Sequence, residues 1–351
     1  MKKTKSKYKD KFDFIKKAKD KGKDTYLLLG PQEVGKTCFL TGMYYSFRSS
    51  LNGFGISCVN DEQRLTLNKM CADLNSGKFP TGTSGANKFD FQLRYAHEIR
   101  FKFEWYDYRG KLLEEYGLDN PKEYEELIDI VNDSTCILIC LDGTWFTNDK
   151  NSTVKNIQDN SYAVNELLNK YVDKNKKLPP ICIVITKFDL CDIKYEQMFY
   201  EAIKESFPLF ENSQTPVFIC PICVGKDDLD SGKFKFNPID QDVYRPLFFA
   251  LWCGYGYRVA EYKKWKSSLY MPIKNLKEKN KKLLKKINSV PYFKKRIENI
   301  DDFFEIIDEE VRKLELEQKS LLDNISGAEN IYFGGKQTTW EEVEQKWKFI
   351  Q

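Results

Sequence analysis

The sequence predicts an α/β fold, in which a doubly wound sheet of six strands in mixed directions is followed by a helical C-terminal region. Short apolar segments typical of buried strands alternate with segments of helical periodicity as far as residue 255. Two of the segments are joined by so short a turn that they must form an antiparallel hairpin, which makes the sheet mixed. Beyond residue 255, apolar residues recur in steps of three and four, as they do in packed helices. The six strands are expected at residues 25–30, 89–96, 99–107, 135–142, 181–186 and 216–223.

The composition is that of a folded globular protein. Hydrophobic residues make up 41% of the 351 positions and aromatic residues 15%, which is enough apolar surface to build a core. The ten cysteines are scattered, without the dense spacing of a small disulfide-rich secreted domain. The longest apolar runs are well short of the roughly 20 residues that a membrane span needs. We therefore expect a cytoplasmic protein.

The first 24 residues form a strongly basic segment. They contain eleven lysines against four aspartates, although the whole chain carries a net charge of only +4. Clustered lysine is attracted to phosphate, so residues 1–24 are interpreted as a basic N-terminal arm that could contact a membrane surface or a nucleic acid. A solvated chain terminus has the same composition, and the sequence leaves both interpretations open.

A glycine-containing loop follows the first strand. Residues 30–37 read GPQEVGKT and match the pattern GxxxxGK[ST] in full, between an apolar segment and a segment of helical character. The glycines allow backbone N–H groups to face an anion, Lys36 adds a positive charge, and the Thr37 hydroxyl can bind Mg²⁺. This is a phosphate-binding loop, or P-loop. The residues expected to contact a nucleotide here are Gly30, Gln32, Glu33, Val34, Gly35, Lys36, Thr37 and Cys38.

A second motif closes the strand expected at 99–107. Asp107 is its last residue and begins a DxxG pattern that ends at Gly110. A carboxylate at a strand end can reach Mg²⁺, and a glycine N–H can approach a terminal phosphate with no side chain between them. Asp107 is therefore a predicted metal ligand and Gly110 a predicted phosphate contact.

A third motif selects the base. The continuous apolar strand 181–185 leads into Thr186-Lys187-Phe188-Asp189, a TKxD pattern. The Asp189 carboxylate can accept hydrogen bonds from N1–H and the exocyclic amine of guanine, two donors that adenine does not present together. The aliphatic stem of Lys187 can lie over the base. These residues predict a guanine nucleotide.

The three motifs, in this order and each at a strand end, resemble the Ras-like G domain of the translation-factor-related P-loop GTPases. The resemblance covers roughly residues 24–255 and implies a P-loop NTPase sheet, GTP or GDP as ligand and Mg²⁺ as cofactor. It also implies a mobile threonine that closes on the metal; Thr81 and Thr83 both qualify, and Thr83 is favoured because glycines flank it. In the family's last base-contacting loop stand Cys223 and Val224, which would offer a backbone N–H to guanine O6. The implied metal ligands are Thr37, Thr83 and Asp107.

The switch region expected at 52–88 is longer than in the smallest members of the family. Its residues 61–77 read as an inserted helix, and long insertions are often functional. The helix followed by GKFPTGTS and paired strands looks like the GTPases of bacterial conflict and defence systems, including the double-GTPases. The biological setting implied by this narrower resemblance is a bacterial defence system.

The residue after the DxxG motif departs from the family. Many members place a glutamine there to orient the attacking water, whereas this chain has Lys111. Gln32, Arg109 or the pair Glu114 and Glu115 are candidates for that role, beside Lys36, Thr83 and Gly110 as the other predicted catalytic residues. We therefore expect slow intrinsic hydrolysis. Two alternatives stay open, namely an ATP-dependent P-loop enzyme and a nucleotide-stabilised scaffold with negligible turnover.

The expected domains are the G domain at 25–255, a helical hairpin or coiled coil at 256–326, and a loop with an amphipathic helix at 327–351. Residues 274–290 carry a net charge of +6 and residues 301–317 a net charge of −6, which favours an antiparallel hairpin with Pro291 at its turn. An intermolecular coiled coil is the alternative. A protein partner or a second copy is expected to bind these helices. Thr339 and Glu342 form a capping box that opens the last helix.

Overall fold

The computed structural model describes residues 24–80, 87–107, 121–175, 178–211, 214–227, 234–239, 242–279 and 291–347. The strands are β1 (Asp24–Leu29), β2 (Phe54–Cys58), β3 (Asn87–Tyr95), β4 (Glu98–Asp107), β5 (Cys136–Asp142), β6 (Ile181–Thr186), β7 (Pro216–Pro221), β8 (Gly225–Asp227), β9 (Phe234–Phe236), β10 (Ile331–Phe333) and β11 (Lys336–Gln337). The helices are α1 (Lys36–Phe47), α2 (Asp61–Asn75), α3 (Pro121–Asp133), α4 (Lys150–Asn175), α5 (Glu196–Ser206), α6 (Arg245–Lys279), α7 (Pro291–Asp323) and α8 (Trp340–Trp347).

One large mixed sheet organises the chain. Its strand order is β11-β10-β7-β6-β5-β1-β4-β3-β2, and the five strands from β7 to β4 are parallel. The strands outside these five are antiparallel to their neighbours, and β3 and β4 form the expected hairpin. The expectation of six strands was wrong, because the described part of this sheet has nine. The three additional strands have two to five residues each, too few to show a clear period in the sequence.

The central strands are buried on both faces. Every residue of β1, β5 and β6 is buried, which explains why the sequence shows them as continuous apolar runs rather than alternating patterns. One face packs against α1, α6, α7 and α8, and the other against α3, α4 and α5. The sheet is therefore doubly wound. Its helices cover the two faces, and the loops lie at the carboxyl edge of the parallel strands.

The inserted segment contributes one helix and one strand. The predicted inserted helix is present as α2, and the Asn60 side chain caps it by accepting a hydrogen bond from the Glu62 backbone N–H at 2.7 Å. Leu67, Cys71 and Leu74 form its buried face. Strand β2 precedes this helix and extends the sheet by pairing with β3.

The two long C-terminal helices run antiparallel within one chain. Residues early in α6 meet residues late in α7: Tyr255 Oη donates to Glu317 Oε2 at 2.7 Å, while Lys266 further along α6 pairs with Asp308. Helix α7 also packs on the sheet, because its apolar residues share a core with β1 and β5. Residues 280–290, which include the expected approach to the turn, lie outside the described residues, and Pro291 begins α7. A coiled coil, within or between chains, stays a prediction.

The last described segment is tied to the sheet. Residues 327–338 were expected as a loop, but β10 pairs with β7, because Ile331 and Tyr332 bury their side chains there. Helix α8 is present as expected, and the Glu342 backbone N–H donates to Thr339 Oγ1 at 3.3 Å. Its Trp347 ring packs against Trp252 of α6 with centroids 5.1 Å apart. The division into domains stays a prediction.

Among the helices that the structure describes, none has the length and apolar character to cross a membrane. Residues 1–23 of the basic arm lie outside the described residues, so its contact with a membrane or a nucleic acid stays a prediction.

Candidate functional site

The loop between β1 and α1 has the backbone conformation that its sequence predicts. Gly30, Glu33 and Gly35 all adopt positive φ, of 145°, 64° and 84°. A Cβ atom at Gly30 would lie 2.8 Å from the Cys140 carbonyl oxygen, so only glycine fits the close approach to β5. Left-handed residues spaced in this way curl the chain so that its N–H groups converge at the start of α1.

Lys36 places its charge inside this loop. The side chain is only 7% exposed, and Nζ donates to the carbonyl oxygens of Gly30 at 2.8 Å and Pro31 at 2.6 Å. The ammonium group therefore lies next to the N-terminus of α1, whose dipole also favours negative charge. The two effects together favour a negative charge at this loop.

Asp107 lies beside Thr37 because β4 pairs in parallel with β1, with Asp107 opposite Leu28. Thr37 Oγ1 donates to Asp107 Oδ2 at 3.1 Å. The carboxylate is fully buried, and its Oδ1 atom has no hydrogen-bond partner in the part of the chain that the structure describes. Burial raises the pKa of Asp107 to about 6, although the Lys36 charge and the Thr37 hydroxyl act in the opposite direction.

These two oxygen donors fit Mg²⁺. A hard divalent cation prefers carboxylate and hydroxyl oxygens, and the unpartnered Oδ1 of Asp107 is a buried acceptor of the required kind. The described residues contain no group of three or more His, Cys, Asp or Glu side chains that could hold a metal by themselves. Mg²⁺ bound with few protein ligands takes its remaining ligands from phosphates and water. Thr83, the third predicted ligand, lies outside the described residues.

The end of β6 is bound to the P-loop. Thr186 Oγ1 donates to the Val34 carbonyl oxygen at 2.5 Å, and Lys187 Nζ donates to the Glu33 carbonyl oxygen at 3.1 Å. Lys187 also forms an ion pair with Asp142, the last residue of β5. The loop that carries the TKxD motif and the phosphate-binding loop are therefore held in a fixed relation by three side chains.

A cleft of about 400 Å³ lies between these two loops. Its lining comes from the P-loop and the start of α1, from the TKxD segment, from the chain after β7 and from two phenylalanines outside these segments, Phe79 and Phe234. The lining residues are Gly35, Cys38, Phe39, Phe79, Thr186, Lys187, Asp189, Leu190, Ile222, Cys223, Val224, Gly225 and Phe234. The volume is within the usual range for small-molecule sites.

The two thiols in the cleft are neutral at physiological pH. Burial raises the pKa of Cys38 to about 11 and that of Cys223 to about 12. A thiol rather than a thiolate is a weak nucleophile and a poor metal ligand. The other polar groups that line the cleft are Thr186, Lys187, the Asp189 carboxylate and the backbone near Cys223 and Val224.

The predicted site residues fall into four groups. Lys36, Thr37 and Asp107 lie together on the phosphate side, and six predicted nucleotide contacts line the cleft, namely Gly35, Cys38, Lys187, Asp189, Cys223 and Val224. Gln32 and Glu33 are exposed on the P-loop, and Val34 is buried with its carbonyl oxygen bound by Thr186. The residues outside the described part are Thr81, Thr83, Arg109, Gly110, Lys111, Glu114 and Glu115. Nucleotide contact by any of these residues stays a prediction.

Three residues that lie at the site were not predicted from the sequence. Asp142 has the same signal as Asp107, an acidic residue at the end of a strand, and the sequence could have indicated it. Phe79 and Phe234 carry no such signal, because they are far apart in the chain and belong to no phosphate or base motif.

No protein-family model and no curated protein matches the chain. Among solved structures, it is similar to translation elongation factor SelB from Methanococcus maripaludis in complex with a GTP analogue, at 15% identity over 57% of this chain and a TM-score of 0.27. It is also similar to a mutation variant of SsGBP, at 13% identity over 57% of this chain and a TM-score of 0.28. The chain spans 30% and 50% of the lengths of these two proteins. Likeness at this level does not decide a function, which therefore depends on the geometry of the site.

Proposed function

We propose that this protein binds GTP together with Mg²⁺ and hydrolyses the nucleotide slowly, as a molecular switch. The observation that carries the proposal is the shared cleft: Gly35 and Cys38 of the phosphate-binding loop line the same space as Lys187 and Asp189. One nucleotide can then place its phosphates against the loop and its base against the TKxD segment.

The phosphate side supplies charge and oxygen ligands. Lys36 and the N–H groups of the loop would bind the β- and γ-phosphates, while Thr37 and Asp107 would hold Mg²⁺. When bound, the metal would offset the negative charge that develops on the phosphate oxygens during transfer to water. The protein's own residues would position the phosphates and keep the metal at their side.

Asp189 would make the site selective for guanine over adenine. Asp189 is exposed in the cleft, and in the described part of the chain no lysine or arginine forms an ion pair with it. The Cys223 thiol, a weak donor, is its side-chain hydrogen-bond partner, and the two guanine donors would take its place on the carboxylate oxygens. Adenine presents an unprotonated N1 at the same place, which a carboxylate repels. The Lys187 stem would lie along the base, since Nζ is held by Glu33 and Asp142.

Slow turnover, the switch and its setting belong to the same proposal. Lys111 replaces the usual glutamine, so another group would have to position the water. The exposed P-loop residue Gln32 is one candidate, beside Arg109, the pair Glu114 and Glu115, or a group from a protein partner. The segment that carries Thr83 would close over bound GTP. A protein partner or a second copy bound to the C-terminal helices would respond to this closure. From the sequence pattern of a helix followed by GKFPTGTS we further propose a bacterial defence system as the setting, and from the scattered cysteines the cytoplasm as the location.

The test identifies the nucleotide and then its determinants. Denaturing the purified protein and separating the released nucleotides should give GDP or GTP. Calorimetry with Mg²⁺ should show GTP bound much more tightly than ATP, with binding lost in Lys36→Ala and the preference for GTP lost in Asp189→Ala. Asp192→Ala is the matched control, because Asp192 is an exposed acid three positions away that pairs with Lys194. Equal affinity for the two triphosphates in the unaltered protein would contradict the proposal.

Phosphate release under multiple turnover tests the enzymatic part. We expect hydrolysis that is slow but measurable and that Lys36→Ala abolishes. GTP that stays bound and intact after prolonged incubation would instead favour a nucleotide-stabilised scaffold.

A further inference from the structure

Two phenylalanines from distant parts of the chain meet at the cleft. The ring centroids of Phe79, in the chain after α2, and Phe234, the first residue of β9, are 4.9 Å apart with their planes at 59°. Both rings line the same cleft as Lys187 and Asp189. We propose that this aromatic pair stacks on the guanine base and supplies much of its binding affinity, an inference that rests on the proposed function.

The exposure of Phe79 is the first support. Its side chain is 55% exposed, and no other phenylalanine whose side chain the structure describes is exposed. Leu190, at 63% exposed, lines the same cleft. Large apolar side chains that remain in contact with water at a cleft with a polar wall are typical of a ligand site. A planar base would cover the ring that water otherwise covers.

The placement of Phe234 is the second support. Its strand pairs with β8, and a Cβ atom at Gly225 would lie only 2.6 Å from the Phe234 ring. The ring therefore lies directly over the backbone of Gly225, where a larger residue would displace it. Two positions further on, Phe236 anchors the same strand by packing on Tyr45 of α1, with centroids 5.0 Å apart. A ring that is held in place before the ligand arrives loses little entropy on binding.

The remaining wall of the cleft identifies the occupant. The Lys187 side chain is fixed at its end by Glu33 and Asp142, and the Asp189 carboxylate lies beside it. This combination offers one apolar stem, two aromatic rings and one acceptor of paired hydrogen bonds, which suits a planar ring system with two adjacent donors. Asp189 would then decide which purine is bound, whereas Phe79 and Phe234 would contribute affinity that both purines share.

The selectivity assigned to Asp189 and the affinity assigned to the two phenylalanines can be measured separately. In calorimetry with Mg²⁺, Phe79→Ala and Phe234→Ala should each weaken GTP binding about tenfold, in the lower part of the range for base–aromatic stacking. The preference for GTP over ATP should stay close to that of the unaltered protein. Binding of inorganic tripolyphosphate, which has no base, should not change. Phe79→Leu should lose less affinity than Phe79→Ala, because leucine keeps part of the apolar surface.

Tyr162→Ala is the control, since Tyr162 is a 57% exposed aromatic residue on α4. If Phe234→Ala has a lowered melting temperature, the conclusion rests on Phe79→Ala alone. Phe79 is exposed, so truncation of its side chain leaves the core intact. Unchanged GTP affinity in Phe79→Ala would overturn the inference, as would a parallel loss of tripolyphosphate binding. Failure of the unaltered protein to bind GTP at all would instead overturn the proposed function.

Discussion

Replacing Asp107 with asparagine should separate the stability of this protein from its ability to bind a metal. The carboxylate is fully buried, with one oxygen bound by Thr37 and the other without a partner in the described part of the chain. Asparagine has the same shape and can still accept the Thr37 hydrogen bond, but it carries no charge. We expect Asp107→Asn to be more stable than the unaltered protein when nucleotide and Mg²⁺ are absent, and unable to use Mg²⁺ for binding.

The magnitude follows from the pKa. Burial raises the pKa of Asp107 from an ordinary 3.8 to about 6. Each pKa unit corresponds to about 1.4 kcal/mol, so keeping the carboxylate ionised in the folded protein costs about 3 kcal/mol at pH 7.5. The folded-state pKa lies above the unfolded-state value, so the unfolded chain loses its proton first as the pH rises. The stability of the unaltered protein therefore falls from about pH 4 to about pH 6 and is level above that.

Urea denaturation of both proteins in a chelator, at pH 7.5 and at pH 5, measures this difference. The advantage of Asp107→Asn should be about 3 kcal/mol at pH 7.5 and roughly half of that at pH 5. With Mg²⁺ and GTP in excess, the order should reverse, because ligand binding stabilises only the protein that holds the metal. If Asp107→Asn is less stable than the unaltered protein at both pH values, the reasoning is refuted. That result would show that the buried, ionised carboxylate does not lower the stability of the folded protein.

Three further variants test neighbouring parts of the structure. Asp142→Asn should weaken GTP binding about tenfold in calorimetry, because Lys187 loses a charge-assisted bond worth about 1–2 kcal/mol; unchanged affinity would show that the ion pair does not position Lys187. Asp189→Asn should move the preference from GTP to xanthosine triphosphate, whose C2 carbonyl accepts a hydrogen bond from the new amide, and competition binding that still favours GTP would contradict this. Glu317→Ala should lower the free energy of unfolding by about 1.5–3 kcal/mol, because Arg100 and the buried Tyr255 hydroxyl both lose this carboxylate, although Arg100 keeps its ion pair with Glu98. The last effect is measured by urea denaturation, and a loss below about 1 kcal/mol would show that solvent reaches the pair.

The parallel core of the fold could be predicted from the sequence because burial on both faces leaves a clear signal. The strands β1, β5 and β6 each contain an unbroken apolar run of four to six residues, and β1 and β6 end where a motif begins. The hairpin of β3 and β4 alternates because only one of its faces is covered. Strand β10 could not be predicted, because three residues have no measurable period and their pairing with β7 depends on the tertiary structure.

The candidate site divides in the same way. The placement of Lys36, Asp107 and Asp189 at one edge of the sheet could be predicted, because each motif fixes a residue type at a set spacing from a strand end; their contacts with phosphate, metal and guanine stay predictions. The contact of Phe79 with Phe234 could not, because it joins residues 155 positions apart through apolar packing that many residue types can provide. Asp142 lies between the two cases: its place at a strand end was visible, but its partner Lys187 is known only once β5 and β6 lie side by side.

The ion pair between Glu317 of α7 and Arg100 of β4 limits which part of the C-terminal helices can move. Glu317 is bound by Arg100 of β4 and by Tyr255 of α6, and the apolar residues around it share the core of the sheet. Moving this part of α7 away from the sheet would expose the core and break a buried pair, at a cost of several kcal/mol that a change between GTP and GDP does not readily supply. If the C-terminal helices are the output of the switch, the portion that moves must lie beyond these contacts, toward the end of α6 and the beginning of α7.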